Sequence, residues 1–223
     1  MRTRPLNPSR RLLACPGWED DGHVQFDHLQ AALQPLGWTC RRANLPDAQW
    51  PAAARARVSP AEALALATAD FDALNAQEAP GPCVSAVLGF SFGGYIAAHL
   101  TGLRNIDMLV LRSPALYPDD TWLQAKESND VEALRRFRKR VHTPAQVGVL
   151  AFGSLFRGHV LLVCSENDEV IPPPVIESYR LAFRHARSLE HVILKSADHQ
   201  LSDAASQDAY RWEVVRWLID KTL

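Results

Sequence analysis

Residues 83–94 read Cys83-Val84-Ser85-Ala86-Val87-Leu88-Gly89-Phe90-Ser91-Phe92-Gly93-Gly94. The first eight are almost continuously apolar, as expected of a strand covered on both faces in a parallel sheet. The next four turn the chain and open a helix expected over residues 92–103. Gly89, Ser91 and Gly93 have the Gly-x-Ser-x-Gly spacing of a strand–turn–helix elbow. Such a turn lifts the Ser91 hydroxyl alone above the sheet. Gly89 and Gly93 lack a Cβ, so neighbouring backbone can crowd the turn. The Phe92 amide stands at a helix N-terminus, where unpaired N–H groups and the helix dipole favour an oxyanion. Gly93 with Ala97, and Gly94 with Ala98, give the helix a small-residue face for close packing.

Outward from this elbow, short apolar runs alternate with helical patterns. Strands are expected at 11–15, 38–43, 108–111, 159–165 and 190–195. Phe26, Leu29, Leu33 and Leu36 mark a helix over 23–36, which Gly37 closes. Residues 44–60 read as loop, with Pro46, Pro51 and Pro60. Ser59-Pro60-Ala61-Glu62 then starts a helix with an N-cap, a first-turn proline and a capping-box partner, running to about Ala76. Ala79-Pro80-Gly81-Pro82 breaks the chain, and 210–221 forms a closing helix. The order predicts an α/β domain, 1–223, with a mainly parallel sheet of about six strands flanked by helices. Residues 115–156 exceed an ordinary connection. They read as a modest insertion or lid over the sheet, or as an extended crossover.

Composition narrows the function classes. Lys and Arg number 24 against 25 Asp and Glu, so no electrostatic case exists for nucleic acid as a partner. No apolar run reaches the roughly 18 residues of a membrane span. Met1-Arg2-Thr3-Arg4-Pro5 is basic, but no apolar segment follows it as in a secretory signal. Cys15, Cys40, Cys83 and Cys164 lack Cys-x-x-Cys spacing and read as small buried hydrophobes. A cytoplasmic protein is expected.

A serine nucleophile needs a base, and open parallel sheets build sites at the carboxyl ends of their strands. His159 and His191 fall at amino ends. His99 lies about 12 Å along the helix from Ser91. His28 and His185 belong to helical patterns, His142 to the insertion, and His23 to the first loop, ahead of Ser91 in the chain. His199, in Lys195-Ser196-Ala197-Asp198-His199 after the last strand, is the candidate base. Asp168, in Ser165-Glu166-Asn167-Asp168 after the preceding strand, is the candidate acid to orient it. Glu166 and Glu169 compete with it, and Asp119 and Asp120 are a second option. Asp198 adjoins His199 in the chain, which does not aim it at the ring. A second oxyanion donor is expected from the loop after the first strand, where Pro16 has no N–H. Trp18 is favoured over Gly17.

The chain resembles the α/β-hydrolase superfamily, and its small dienelactone-hydrolase-like and serine-esterase members in particular. The resemblance rests on Pro16-Gly17-Trp18, the elbow at Ser91, Ser165-Glu166-Asn167-Asp168 followed by Val170-Ile171-Pro172, and Ala197-Asp198-His199. It implies a Ser91–Asp168–His199 triad acting through an acyl-enzyme, with Phe92 and Trp18 as amide donors. Many members carry His-Gly in the first loop, where this chain has Cys15-Pro16-Gly17. The strands that usually precede that loop are expected to be missing.

Other signals are less specific. Arg135-Arg136-Phe137-Arg138-Lys139-Arg140 is the strongest charge run. It reads as a solvated helix face, or as a reader of an anionic acyl group if it folds over Ser91. Trp122, Tyr117 and Phe156 are candidates for a substrate pocket or for packing. Arg112 is a candidate for a substrate carboxylate or a structural ion pair. The expected activity is cleavage of a carboxylic ester or thioester in a small-molecule acyl substrate, without metal or cofactor. A peptidase or amidase on the same triad, and a non-catalytic binding protein that keeps the fold, are the alternatives.

Overall fold

A computed structural model of the chain describes residues 8–21, 23–76 and 81–222. The basic start at Met1–Pro5 and the Ala79-Pro80 half of the chain break lie outside the described residues. Cys83–Phe90 is a strand with the bounds its apolar run predicts. In chain order the elements are β1 (Ser9–Cys15), α1 (His23–Leu33), β2 (Trp38–Arg42), α2 (Ala52–Arg55), α3 (Pro60–Asn75), β3 (Cys83–Phe90) and α4 (Phe92–Leu100). There follow β4 (Met108–Arg112), α5 (Val131–Arg138), α6 (Gly148–Leu155), β5 (His159–Asn167), α7 (Pro173–Ala182), β6 (Ser188–Asp198) and α8 (Ala204–Thr222).

The six strands form one sheet in the order β2-β1-β3-β4-β5-β6, and every pairing is parallel. The chain leaves β1 for one edge and returns through β3 on the other side. The order therefore reverses between β1 and β3, and a crevice opens at their carboxyl ends. The inner strands alternate between two cores. Val87, Leu109, Leu111, Val160 and Leu162 face α3, α4, α6 and α7. Leu88, Val110, Leu161 and Val163 face α1 and α8. Two apolar faces explain why these strands read as unbroken apolar runs.

Local chemistry sets most boundaries. The Ser59 side chain accepts from the Glu62 amide, and Glu62 accepts from the Ser59 amide, so the capping box starts α3. Gly37 takes a left-handed φ of 80°, which stops the turn at Gln34–Leu36. The helix expected over 92–103 ends at Leu100 and unwinds through turns at Gly102 and Leu103. The stretch read as loop at 44–60 contains one helical turn, α2. Arg55 of that turn pairs with Glu19 and Glu127, at 2.5 and 3.4 Å.

Residues 115–156 divide in two. α6 is the ordinary crossover helix between β4 and β5, with Val149 and Leu150 in the core beside α4 and α7. α5 buries no residue fully and rests only Leu134 and Phe137 on the core. The four cysteines are free, but they are not all buried. Cys15 and Cys164 lie inside, Cys40 is half-buried and Cys83 is exposed, because β2 is an edge strand and Cys83 starts β3 beyond the covering helices.

Candidate active site

Ser91 sits between β3 and α4 at φ 50° and ψ −114°, a conformation L-residues rarely adopt. Its amide donates to the Arg112 carbonyl at 3.0 Å, and its carbonyl accepts from Tyr95 and Ala115 at 3.1 and 2.9 Å. Glycine is required on both sides. A Cβ on Gly89 would lie 2.4 Å from the Gly93 carbonyl oxygen, and one on Gly93 would lie 2.1 Å from that of Cys15. The loop after β1 thus rides directly on the first turn of α4. Strain gathers at this edge: among the described residues, non-glycine positive φ occurs at Glu19, Ser91, Ser113, Ser196 and Leu201. All five lie at or just beyond the carboxyl ends of β1, β3, β4 and β6.

Three of the sequence candidates meet. His199 Nε2 lies 3.2 Å from Ser91 Oγ. His199 Nδ1 lies 2.9 Å from both carboxylate oxygens of Asp168. That geometry fits Nδ1–H donating to the carboxylate and a bare Nε2 facing the hydroxyl. Asp168 Oδ1 also accepts from the amides of Val170 and Ile171, at 3.0 and 2.8 Å. Burial alone would raise the Asp168 pKa. The His199 ring, the Ser113 hydroxyl and the Ile171 amide outweigh it and hold the carboxyl below its ordinary value. His199 is 7% exposed, so its ring lies largely out of bulk water.

The competing carboxylates are engaged elsewhere. Glu166 accepts from Lys195 Nζ at 2.7 Å and from the Ser196 amide. Glu169 and Asp120 are exposed. Asp119 accepts from the Gly148 amide and so caps the start of α6. Asp198 accepts from the Ser202 amide. Among the described side chains no other histidine bonds Ser91 or Asp168, and the His23 side chain lies outside them. His99 is buried among Tyr95, Trp122 and Phe152, and burial drives its pKa down to about 3. His142 stacks on Phe137, and His191 lies 3.3 Å from Cys164 Sγ. His28 and His185 are exposed, and His159 bonds Ser188. Among the described residues no group of three or more His, Cys, Asp or Glu could hold a metal ion.

Phe92 opens α4, and the Trp18 ring meets the Phe92 ring edge-on at 5.1 Å. The three residues read as substrate contacts all sit in packed surroundings. Tyr117 is 3% exposed and wedged against Phe92 and Tyr95. Trp122 is half-buried and lies over His99, 4.4 Å between centroids. Arg112 was expected at a substrate carboxylate or in an ion pair. It is 2% exposed, stacks 3.5 Å over the Phe90 ring and donates to the His199 carbonyl. It follows Leu111 on the alternating strand, so its side chain joins the α1/α8 face beneath the site. Two further cations approach the site: Lys126 lies over the Trp18 ring and Arg138 over the Tyr117 ring. Arg138 belongs to the charge run already noted in the sequence. No sequence signal distinguishes Lys126.

The sequence pattern of the Uncharacterised protein family (UPF0227) matches residues 59–212. No curated protein matches the chain. Among solved structures, Est1E from Butyrivibrio proteoclasticus superposes with TM-score 0.66 at 15% identity, covering 99% of this chain and 90% of its own. A structure titled for LipS and LipT, two metagenome-derived lipolytic enzymes, gives TM-score 0.71 at 14% identity, covering 97% and 96%. Dienelactone hydrolase from Anabaena variabilis gives 0.64 at 13%, covering 97% and 88%. At these identities the likeness is one of fold, and that fold is the α/β-hydrolase fold.

Proposed function

The chain belongs to the Uncharacterised protein family (UPF0227) and has the α/β-hydrolase fold, and from that premise we propose that it is a serine hydrolase of carboxylic esters or thioesters. One observation carries the reading: Asp168, His199 and Ser91 form an unbroken relay, 2.9 and 3.2 Å per step, on a strained turn after a buried strand.

In this reading His199 Nε2 takes the proton from Ser91 Oγ as that oxygen attacks the substrate carbonyl carbon. The carbonyl oxygen becomes an oxyanion, held by the amides of Phe92 and Trp18. His199 Nε2–H then protonates the leaving oxygen or sulfur, the acyl bond breaks, and Ser91 carries the acyl group. Water gives a proton to His199 and attacks the acyl carbon. The acid leaves, and Ser91 regains its hydrogen. Asp168 keeps the Nδ1 proton in place and balances the imidazolium charge. We read residues 1–223 as a single domain in which α5 and its flanking turns cover one side of the cleft.

The test is turnover of 4-nitrophenyl butyrate by the parent and by Ser91→Ala, with a fluorophosphonate probe followed by peptide mapping. The expected result is labelling at Ser91, and loss of turnover in the variant by about 10⁴-fold or more. Unchanged turnover in Ser91→Ala, or a folded protein that the probe does not label at Ser91, would overturn the assignment.

A further inference from the structure

Two cations reach the aromatic wall beside Ser91, and among the described residues neither has a carboxylate in contact. Lys126 precedes α5. Its amide donates to the Val58 carbonyl at 2.9 Å, and its Nζ lies 4.5 Å from the Trp18 ring centroid. Trp18 packs edge-on against Phe92, the residue after the nucleophile. Arg138 closes α5. Its Nε donates to the Leu116 carbonyl at 3.0 Å, and its guanidinium carbon lies 4.8 Å from the Tyr117 ring. Tyr117 packs edge-on against the same Phe92 ring, 6.0 Å between centroids. The amide of Ala115, one residue before Leu116, holds the Ser91 carbonyl. Through two rings and two short backbone links, both charges are tied to the turn that carries the nucleophile.

Among the described residues neither cation makes an ion pair. Glu19 and Glu127 act on Lys126 through their charge, but both carboxylates make their contacts with Arg55 and neither touches the ammonium. Burial is the main cause that lowers the Lys126 pKa, to about 8, and the charge of Arg138 adds to it. A partly buried ammonium with no carboxylate in contact is better placed when a ligand supplies one. A groove of about 470 Å³ continues from Arg138 along Leu134, Arg135 and Lys139 to Glu169 and Val170, on the loop that carries Asp168. Its walls hold three cations and one carboxylate over apolar carbon.

We infer that the substrate carries a carboxylate or phosphate, and that Lys126 and Arg138 bind this anion while Ser91 attacks the ester or thioester carbonyl. The inference rests on the reading of Ser91 as nucleophile. A flat guanidinium and a point-like ammonium suit either anion. A carboxylate would sit on the acyl chain, and a phosphate on the leaving group.

Two matched pairs test it. 4-Nitrophenyl hexanoate and the mono-4-nitrophenyl ester of adipic acid differ by a carboxylate on the acyl side. Butyryl-pantetheine and butyryl-4′-phosphopantetheine differ by one phosphate on the leaving side. The anionic member of at least one pair should win in kcat/KM by about tenfold or more near neutral pH, and the pair that responds identifies the side. The ratio should fall toward one in Lys126→Met and in Arg138→Met, and Lys126→Arg should restore most of it. Ratios near one in both pairs, or a preference that survives both methionine variants, overturn the anion site while neutral turnover and Ser91 labelling leave the nucleophile standing. If no ester turns over and Ser91 is not labelled, the hydrolase reading falls instead. Binding then decides the anion site by itself. Millimolar adipate or pyrophosphate should raise the Tm of the parent and not of Lys126→Met, and no shift in the parent overturns it.

Discussion

The carbonyl oxygen of His199 accepts a hydrogen bond, 2.8 Å long, from Nη1 of Arg112. The two residues are 87 positions apart, and the bond is buried. The same guanidinium stacks on Phe90, and the Phe90 ring lies 5.0 Å from the His199 imidazole, tilted by 40°. Phe90 and Arg112 are register partners on β3 and β4. The centre of the sheet therefore holds the backbone of His199, and supports its ring through one intervening aromatic.

In the proposed hydrolase Arg112 acts as a positioning residue. Burial lowers its pKa to about 10, with Tyr210, Asp20, Asp168 and Asp198 acting the other way, so it is charged near neutral pH. Arg112→Met leaves the His199 carbonyl without its donor and the ring without its backing. The expected loss is about 10²-fold in kcat with KM nearly unchanged, because a displacement near 1 Å costs about that much. Arg112→Lys keeps the charge but not the planar stack, and should recover only part. A KM effect larger than the kcat effect would mean that Arg112 meets substrate.

Asp168 gives a pair of predictions with opposite readouts. Asp168→Asn leaves the shape but cannot hold the Nδ1 proton, so kcat should fall by roughly 10³–10⁴-fold. The folded pKa of Asp168 lies below its ordinary value. Its contribution to stability is therefore fully present above the ordinary carboxyl pKa, about 3.9, and is lost as pH falls through the folded value. Unfolding free energy measured from about pH 5 downward should decline less steeply in the variant than in the parent. Parallel curves would show that Asp168 gains nothing from its partners in the fold.

The parts of this site that are legible in the sequence are those that backbone geometry dictates. β3 and its elbow are legible because two buried faces demand an apolar run and a crowded turn demands glycine at 89 and 93. His199 and Asp168 follow from their places at the carboxyl ends of neighbouring strands. The run 135–140 is visible as charge, but which of its cations turns inward depends on α5 resting Leu134 and Phe137 on the core. Arg112 ends an apolar strand, and its buried setting comes from Phe90, Tyr210 and the return of the 199 loop above it, which lie far apart in the sequence. β6 starts at Ser188 rather than 190 and ends at Asp198 rather than 195, since an edge strand has a weaker apolar pattern. Residues 173–182 form α7 although they begin with two prolines, which sit in the first turn, where their missing N–H groups are harmless.

Gly93 tests the elbow without touching the relay. In Gly93→Ala the new Cβ would meet the carbonyl oxygens of Cys15 and Pro16 at 2.1 and 2.3 Å. Both are backbone atoms, so the loop carrying Trp18 must move or α4 must shift. The expected cost is about 2–4 kcal/mol in denaturant unfolding, within the range for severe overpacking. Residual folded protein should label slowly with the fluorophosphonate. By contrast Gly37→Ala, whose Cβ would meet nothing within 4 Å but whose φ is 80°, should cost about 1 kcal/mol and leave labelling unchanged. Equal labelling in the two variants would separate the loop after β1 from the function of the site.

Lys126 links stability to pH with the same sign as Asp168, rising with pH, but through a penalty that fades in the alkaline range. Its pKa falls from 10.5 to about 8, first through burial and then through Arg138 and Arg55, while Glu19 and Glu127 oppose the shift. The charged form is thus disfavoured in the fold. The penalty is full below about 8 and fades as pH rises toward 10.5, where the unfolded chain also loses its proton. Replacing the ammonium with methionine removes the penalty and keeps the stem against Trp18. Lys126→Met should therefore be more stable than the parent near neutral pH, by about 1 kcal/mol after discounting for solvent around the ammonium. The advantage should shrink by about pH 10. Over the same interval the parent's preference for anionic substrates should decline, since neutral Lys126 binds no anion, and the part due to Arg138 should persist. Tm against pH for both proteins, together with the adipate and phosphopantetheine ratios against pH, reads both effects. A methionine variant less stable than the parent at neutral pH would mean that the ammonium is already neutralised within the fold, and the case for a bound anion would lose its physical basis.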